Sequence, residues 1–470
     1  MQKAFSFGED FLFLEKTDTI DSKMDTLLMD ERELVADFKE KNQEQFLRFL
    51  DKYETYIAPV MRARGYRRIN QSERTVLFTF GEVTFSRSRW TNGKRTRIPL
   101  DEKLGLKKHT RFSKELLYYV SKLSTMLSYR QVGIVIETCL GFHVTKDTVL
   151  KAIKEAGELL KQREECHINK PSNELQKIKS KFIYVEGDGV MVKCTEKADE
   201  RRNRELSHFV VHTGRKQICP NRYMLENKKE IVHINYNQAK DDLLDYLYNH
   251  FEITPETVLI TNSDNGKGYT RRIFLEIAKA LGIKRHEHFW DAYHVDEKIR
   301  TILKNYPEEL TDRLLAAKYS HNKSDAEVVF DTCEAMAENE EEVAKLLHFK
   351  YKFLKRFSQT KSAALRGLPT HSLGIMESQH RKLTYRMKKR GMYWSENGAC
   401  TMARMILLDR LEDLRDLFFG EWQNYSYGRG MSGGEVKKIL PNETDHSLLK
   451  IFKQPKKGQL RGFMKLNRTR

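Results

Sequence analysis

Three carboxylates stand in contexts that suit chemistry. Asp188 lies inside FIYVEGDGVMVK, Phe182–Lys193, a run rich in β-branched and aromatic residues, which is strand composition. A carboxylate in a strand is costly if it is buried without a partner. Its flanking Gly187 and Gly189 leave it unshielded, so that another backbone, a metal or a substrate can come close. The same triplet would also serve as a tight hairpin turn. Asp264 follows the short buried-strand pattern Thr257–Thr261 and precedes Gly266, where it could equally close an Asx turn. Glu377 opens a basic helical stretch, a position the helix dipole favours for any acid. Each acid alone reads as a turn or cap residue.

Jointly, in a basic chain, the three read as a site for phosphoryl transfer. Cutting a DNA strand needs a nucleophilic oxygen, stabilisation of charge on the phosphorus and a leaving 3′-oxygen. Two Mg²⁺ ions about 4 Å apart can supply all three. Mg²⁺ prefers oxygen ligands and keeps several waters, so about three carboxylates suffice for two ions, and Mn²⁺ is an acceptable substitute. Carboxylates gathered without cations repel and raise one another's pKa, a conflict that metal binding resolves. Asp291 and His294, three apart in DAYH, share one face of a helical turn and are expected in a supporting role. A helix cap with an exposed imidazole is the alternative.

Elements must bring these residues together across long stretches of chain, and the composition permits it. The 470 residues suggest two to four units, and 39% hydrophobic residues are enough for cores and too many for global disorder. A net charge of +18 favours a polyanionic partner, nucleic acid before membrane. None of the six cysteines forms a CxxC pair, which argues against a zinc knuckle and fits a reducing cytoplasm. No run is apolar enough for a membrane span, and the first residues do not read as a signal peptide.

Residues 30–58 carry helical periodicity, residues 74–98 alternate as a small β-meander with an Asn92-Gly93 turn, and residues 113–162 return to helix. Arg87, Arg89, Lys94, Arg95 and Arg97 along the meander suit nucleic-acid backbone contact as well as an ordinary solvated face. Gly141 breaks one apolar helix and Thr145 caps the next, a helix-turn-helix candidate whose Lys146, Asp147, Lys151 and Lys154 face outward. Strands are expected at 182–194, 207–213, 230–235, 257–261 and 283–290, with helices at 238–250 and 268–282. Three strands, helix, strand, helix, strand is the order of an RNase H-like mixed sheet, although order alone secures only an α/β class. Residues 295–365 are helical in pattern, and the tail from Gly428 reads as a flexible polycationic arm.

The motifs VEGDGVMVK (185–193), NSDNGKGY (262–269), Asp291–His294 and ESQHRKLTYRMKKRGMYWSENGACTMARM (377–405) resemble those of ISLre-type DDE transposases. These are bacterial insertion-sequence enzymes related to the Mutator-like group, whose members are also catalogued as an uncharacterised protein family. The resemblance covers nearly the whole chain. It implies an RNase H-like core with a helical insertion, Asp188, Asp264 and Glu377 as the catalytic and metal-binding acids, and Asp291, His294 and His380 in support. It further implies Mg²⁺-dependent cleavage at inverted repeats and strand transfer into target DNA by a homo-oligomer. Thr145, Lys146, Lys151, Arg381, Lys382, Arg386, Lys388, Lys389 and Arg390 are the DNA-binding candidates. The expected organisation is a helical segment over 1–60, the meander over 61–110, the helix-turn-helix region over 111–168, the core over 180–294, the insertion over 295–365, the rest of the core over 366–425 and the tail over 426–470. The alternatives are a stand-alone RNase H-like nuclease and a catalytically silent DNA-binding derivative.

Overall fold

The computed structural model describes residues 31–168, 177–195, 203–220, 222–370, 373–389 and 391–423. The basic tail, the first 30 residues and Arg390 therefore lie outside the described residues. Two compact units emerge, one of residues up to 116 together with 139–142, the other of the remainder.

In the first unit, helix α1 (Glu31–Ala63) lays Phe46, Phe49, Leu50 and Tyr53 on an antiparallel meander of β1 (Arg67–Phe78), β2 (Gly81–Thr91) and β3 (Thr96–Arg97). Burial alternates along β2, with Val83 and Phe85 inward, as a sheet with one covered face requires. The short helix α2 (Pro99–Lys103) follows. Two of the meander arginines are not free for a nucleic acid: Arg87 pairs with Asp101, which also holds Arg74 at 2.7 Å, and Arg97 pairs with Glu102.

Helices α3 (Lys114–Met126), α4 (Tyr129–Leu140) and α5 (Lys146–Ile168) come next. Gly141, at φ 71°, ends α4 in the left-handed conformation that a side chain would resist. The Thr145 hydroxyl accepts a hydrogen bond from the Thr148 amide at 3.3 Å, opening α5 as its cap. In the second unit α5 packs along α13 (Glu396–Arg410) and α14 (Leu414–Phe419).

The second unit is built on a mixed five-stranded sheet. Its strands are β5 (Phe182–Lys193), β6 (Asn203–His212), β9 (Lys229–His233), β11 (Val258–Ser263) and β12 (Arg285–Trp290), in spatial order β12-β11-β5-β6-β9. β5, β11 and β12 run parallel, while β6 is antiparallel to both β5 and β9. Helices α6 (Tyr236–His250) and α7 (Arg271–Ala280) supply Leu243, Leu247, Phe274 and Ile277 to a core against Ile183, Val185, Phe209 and Leu259. Tyr184, Val258, Ile260 and Phe289 form a second cluster with Leu368, and Val210 meets Ile375 and Met376 at the start of α12 (Met376–Met387). Cover on both faces explains why β5 and β11 read as near-continuous apolar runs. The minor pair β4 (Ile178–Lys179) and β10 (Phe251–Glu252) sits apart from the main sheet.

A ribbon absent from the sequence reading, β7 (Gly214–Cys219) and β8 (Arg222–Glu226), branches off between β6 and β9. Helices α8 (Ala292–Ile302), α9 (Glu308–Tyr319), α10 (Lys323–Met336) and α11 (Glu340–Lys355) share a core of Val295, Leu314, Phe330, Phe349 and Phe353. Their packing accounts for the helical pattern of 295–365. No helix among the described residues is long and apolar enough to cross a membrane.

Candidate active site at the end of the parallel strands

The Gly-Asp-Gly triplet is not a turn. β5 runs unbroken through it, pairing Gly187, Asp188 and Gly189 with Phe209, His208 and Ser207 of β6. Gly187 is needed there because a Cβ would meet the rings of Phe209 and Tyr269 at 2.8 and 2.9 Å. β11 accompanies β5 only as far as Glu186, so Asp188 stands where β5 continues without its parallel neighbour.

Register then aligns the acids. Glu186 is opposite Asn262 in the last pair of the β5–β11 ladder; two residues beyond that pair lie Asp188, still within β5, and Asp264, just past the end of β11. Ser263 is opposite Trp290, and one residue on Asp264 and Asp291 come level. Three aspartates, far apart in the chain, thus gather at the ends of neighbouring parallel strands, close enough for the charges of Asp264 and Asp291 to act on Asp188.

Their electrostatics reflect this crowding. Burial, opposed by the Gly189 amide and reinforced by the charges of Asp264 and Asp291, pushes the Asp188 carboxyl up to about 6. Asp291 behaves differently. Burial raises it, but hydrogen bonds from His294 and Asn262 outweigh that and hold it below the usual carboxylate range. It caps α8, accepting from the His294 amide at 3.1 Å, and meets His294 Nδ1 at 3.0 Å. The bond to Asp291 raises His294 to about 9, with help from Asp188 and Asp264, so the pair is an imidazolium and a carboxylate at neutral pH. The cap and the supporting charge are the same residues. Asp264 also makes the turn expected of it, its Oδ1 accepting from the Gly266 amide at 2.7 Å.

Sequence reasoning missed Glu186. It is fully buried, and burial raises it to about 8 against the pull of Asn262 and Ile375, so it is uncharged at neutral pH. One of its oxygens accepts from both Asn262 Nδ2 and the Ile375 amide at 3.1 Å. Asn262 Nδ2 also reaches Asp291 at 3.0 Å. Glu186 therefore ties the strand ends to the start of α12, two residues before Glu377. An acid two places before Asp188, and hence on the same strand face, was the available signal.

Helix α12, which carries Glu377 and His380, packs on β5. His380 is buried, and burial lowers its ring to about 3. Its Nδ1 lies 3.6 Å from Asp188 Oδ2, a contact with a neutral imidazole rather than an ion pair. Glu377, one turn earlier, is exposed and borders the same cleft as His380 and Gly189. That cleft has a volume of about 1000 Å³ and is walled by Arg381, Lys382, Lys388, Lys389 and Arg410. Lys382 is partly committed, bonding to Glu230 at 2.8 Å, and burial lowers it to about 8.

Arg386, expected among the phosphate contacts, is instead a core residue only 1% exposed. Its Nε donates to the Ser124 carbonyl at 2.8 Å and its guanidinium lies 5.3 Å from the Trp394 ring. Thr145, Lys146 and Lys151 are exposed on α5, in the second unit but on a different element from the acids.

Asp188 and Asp264 fit a hard cation. They are oxygen donors close enough to affect each other's charge, and Asp188 is a desolvated anion in contact with the uncharged His380 ring. Glu377 borders the cleft that Gly189, next to Asp188, also lines. Among the described residues no three His, Cys, Asp or Glu side chains form a group that could hold a metal as they stand.

Residues 25–422 match the model of an uncharacterised protein family, UPF0236. A UPF0236 protein of the vanSb 3′ region in Streptococcus gallolyticus is 28% identical over 385 residues, covering 81% of this chain and 82% of that protein. Among solved structures, the Drosophila P element transposase strand transfer complex aligns over 71% of this chain and 90% of that one. The identity there is 10% and the TM-score 0.22, an overlap too slight to bear on fold or function.

Proposed function

We propose that this chain, which belongs to the UPF0236 family, is a DNA transposase with an RNase H-like core. The reading is that it cleaves insertion-sequence ends and joins the freed 3′-OH to target DNA. The observation that carries it is that Asp188, in the central strand, lies within electrostatic reach of Asp264, which follows the end of the neighbouring parallel strand. Support comes from the strand order, with a long central strand flanked by an antiparallel pair on one side and a parallel pair on the other. The helix bearing Glu377 packs on that central strand beside a basic cleft.

Asp188 and Asp264 would hold Mg²⁺ or Mn²⁺ with Glu377, the ions supplying charge neutralisation at phosphorus and a more acidic attacking water or hydroxyl. The His294 imidazolium, fixed by Asp291, offers a positive charge to the scissile phosphate. Arg381, Lys388, Lys389 and Arg410 neutralise flanking phosphates. Exposed Lys146 and Lys151 of α5, with Thr145 at its start, would read the terminal repeats. Two ends must be held together, so a homo-oligomer is the working form.

The test is incubation of the full chain with duplex DNA bearing the element ends in Mg²⁺ or Mn²⁺, scoring cleavage and joining separately. Asp188→Asn, Asp264→Asn and Glu377→Gln should each cut both by at least about 10²-fold, the scale of losing one electrostatic stabiliser of the transition state. Cleavage without joining would identify a nuclease instead. Undiminished activity in Asp188→Asn would overturn the reading.

A further inference from the structure

We propose that the β7–β8 ribbon is a second DNA-contacting element, an arm that enters a groove of duplex DNA. In it Ile218, Tyr223 and Met224 press on the groove while Lys216 and Arg222 hold phosphates. This rests on the DNA reading above.

A two-stranded ribbon is marginal in water unless something covers it. This one should then be polar where it is exposed. Instead Ile218, Tyr223 and Met224 are 53%, 51% and 56% exposed. Cross-strand pairing sets Met224 opposite Lys216 and Tyr223 opposite Gln217, so these two successive residues put apolar surface on both faces of the ribbon. Laying one face on a flat surface would leave the other in water. A groove covers both, and the major groove of B-DNA admits a two-stranded β-ribbon.

Charge selects the occupant. Arg215, Lys216 and Arg222 lie on the ribbon, with Glu226 at its base as the acid among its strand residues. Arg215 packs over the Tyr223 ring at 4.9 Å. A second copy of a chain with net charge +18 would bring like charges together, whereas DNA would neutralise them. The ribbon is also rooted beside the proposed site. Leu225 packs against Val210, Ile375 and Met376, the residues that lead into Glu377.

Cys219 gives a direct probe, because it is exposed while Cys194, Cys333 and Cys400 are buried. With Cys139 and Cys166 replaced by Ser in the full chain, maleimide labelling of Cys219 should slow at least tenfold on saturation with duplex DNA bearing the element ends. High salt should restore it. Ile218→Ser/Met224→Ser should weaken DNA binding at least tenfold with the salt slope unchanged. Lys216→Ala/Arg222→Ala should reduce the slope of log K against log salt by about 2. If DNA binds and Cys219 still labels at the free rate, the ribbon proposal fails and the transposase reading stands. Slower labelling on raising protein concentration without DNA would make the occupant another copy and overturn the proposal. If the intact chain binds no duplex, both readings fall.

Discussion

Replacing Asp188 by Asn should make the metal-free protein more stable, although it removes a residue central to the proposed chemistry. The structure sets the size of the effect. The carboxyl moves from an ordinary value of 3.8 to about 6, mainly because the fold desolvates it. At 1.36 kcal/mol per pKa unit, the ionised form costs the native state about 3 kcal/mol. The sign follows from the direction of the shift. A carboxyl raised on folding imposes no penalty below its unfolded pKa, and the penalty grows between about pH 4 and pH 6 and is complete above that. Asn keeps an oxygen to accept from the Gly189 amide, whose bond to Asp188 Oδ1 is 2.7 Å.

Denaturant unfolding of wild type and Asp188→Asn, at pH 4 and pH 7.5 without divalent ions, reads this out. The expected result is near-equality at pH 4 and a gain of about 3 kcal/mol for the variant at pH 7.5. Mn²⁺ at about 1,000 times its Kd should reverse the order, since it adds about 4.1 kcal/mol only to the protein that binds it. A variant that is less stable at pH 7.5, or equally altered at both pH values, would show that Asp188 is an ordinary satisfied side chain and refute the reasoning.

Three further outcomes follow from the same geometry. Glu186→Ala should cost roughly 2–4 kcal/mol by leaving the Ile375 N–H and one of the two Asn262 Nδ2 hydrogens without an acceptor, while Glu186→Gln, which keeps an acceptor, should cost far less; hydrogen exchange at Ile375 distinguishes a local from a global effect. Arg386→Ala should lower stability by about 3 kcal/mol through its lost bond and packing, yet leave the salt slope of DNA binding unchanged. The His294 ring should titrate near 9 by NMR and fall by more than a unit in Asp291→Asn, and because its folded pKa is raised, the stabilisation it gives is full below about 6.5 and lost as pH climbs through 9.

Much of the sheet was legible because its strands are covered on both faces. The runs Phe182–Val185 and Val258–Ile260 are apolar on both faces of the sheet, and that pattern is visible in sequence. The β7–β8 ribbon escaped notice for the opposite reason: its exposed, basic residues carry no burial pattern to read. Arg386 was misjudged because a basic run such as Arg381–Lys389 shows its charge but not which side chain turns inward against Trp394. Arg87 and Arg97 were ambiguous for the same reason, and their partners Asp101 and Glu102 become neighbours only when the meander folds.

The acids illustrate the boundary between what sequence holds and what folding adds. Asp188, Asp264 and Asp291 could be singled out one by one, each as a carboxylate at the end or in the midst of a strand. That they gather at neighbouring strand ends depends on register, which is set by which apolar side chains pair across β5, β11 and β12. A one-residue slip of β11 would turn Leu259 and Asn262 to the opposite faces and separate Asp264 from Asp188. Burying Leu259 against α6 and α7 therefore also fixes where the chain leaves β11 for Asp264, relative to Asp188 on β5. The core that stabilises the sheet and the alignment of its acids are one constraint, so substitutions that loosen β11 should weaken cation binding before they unfold the sheet.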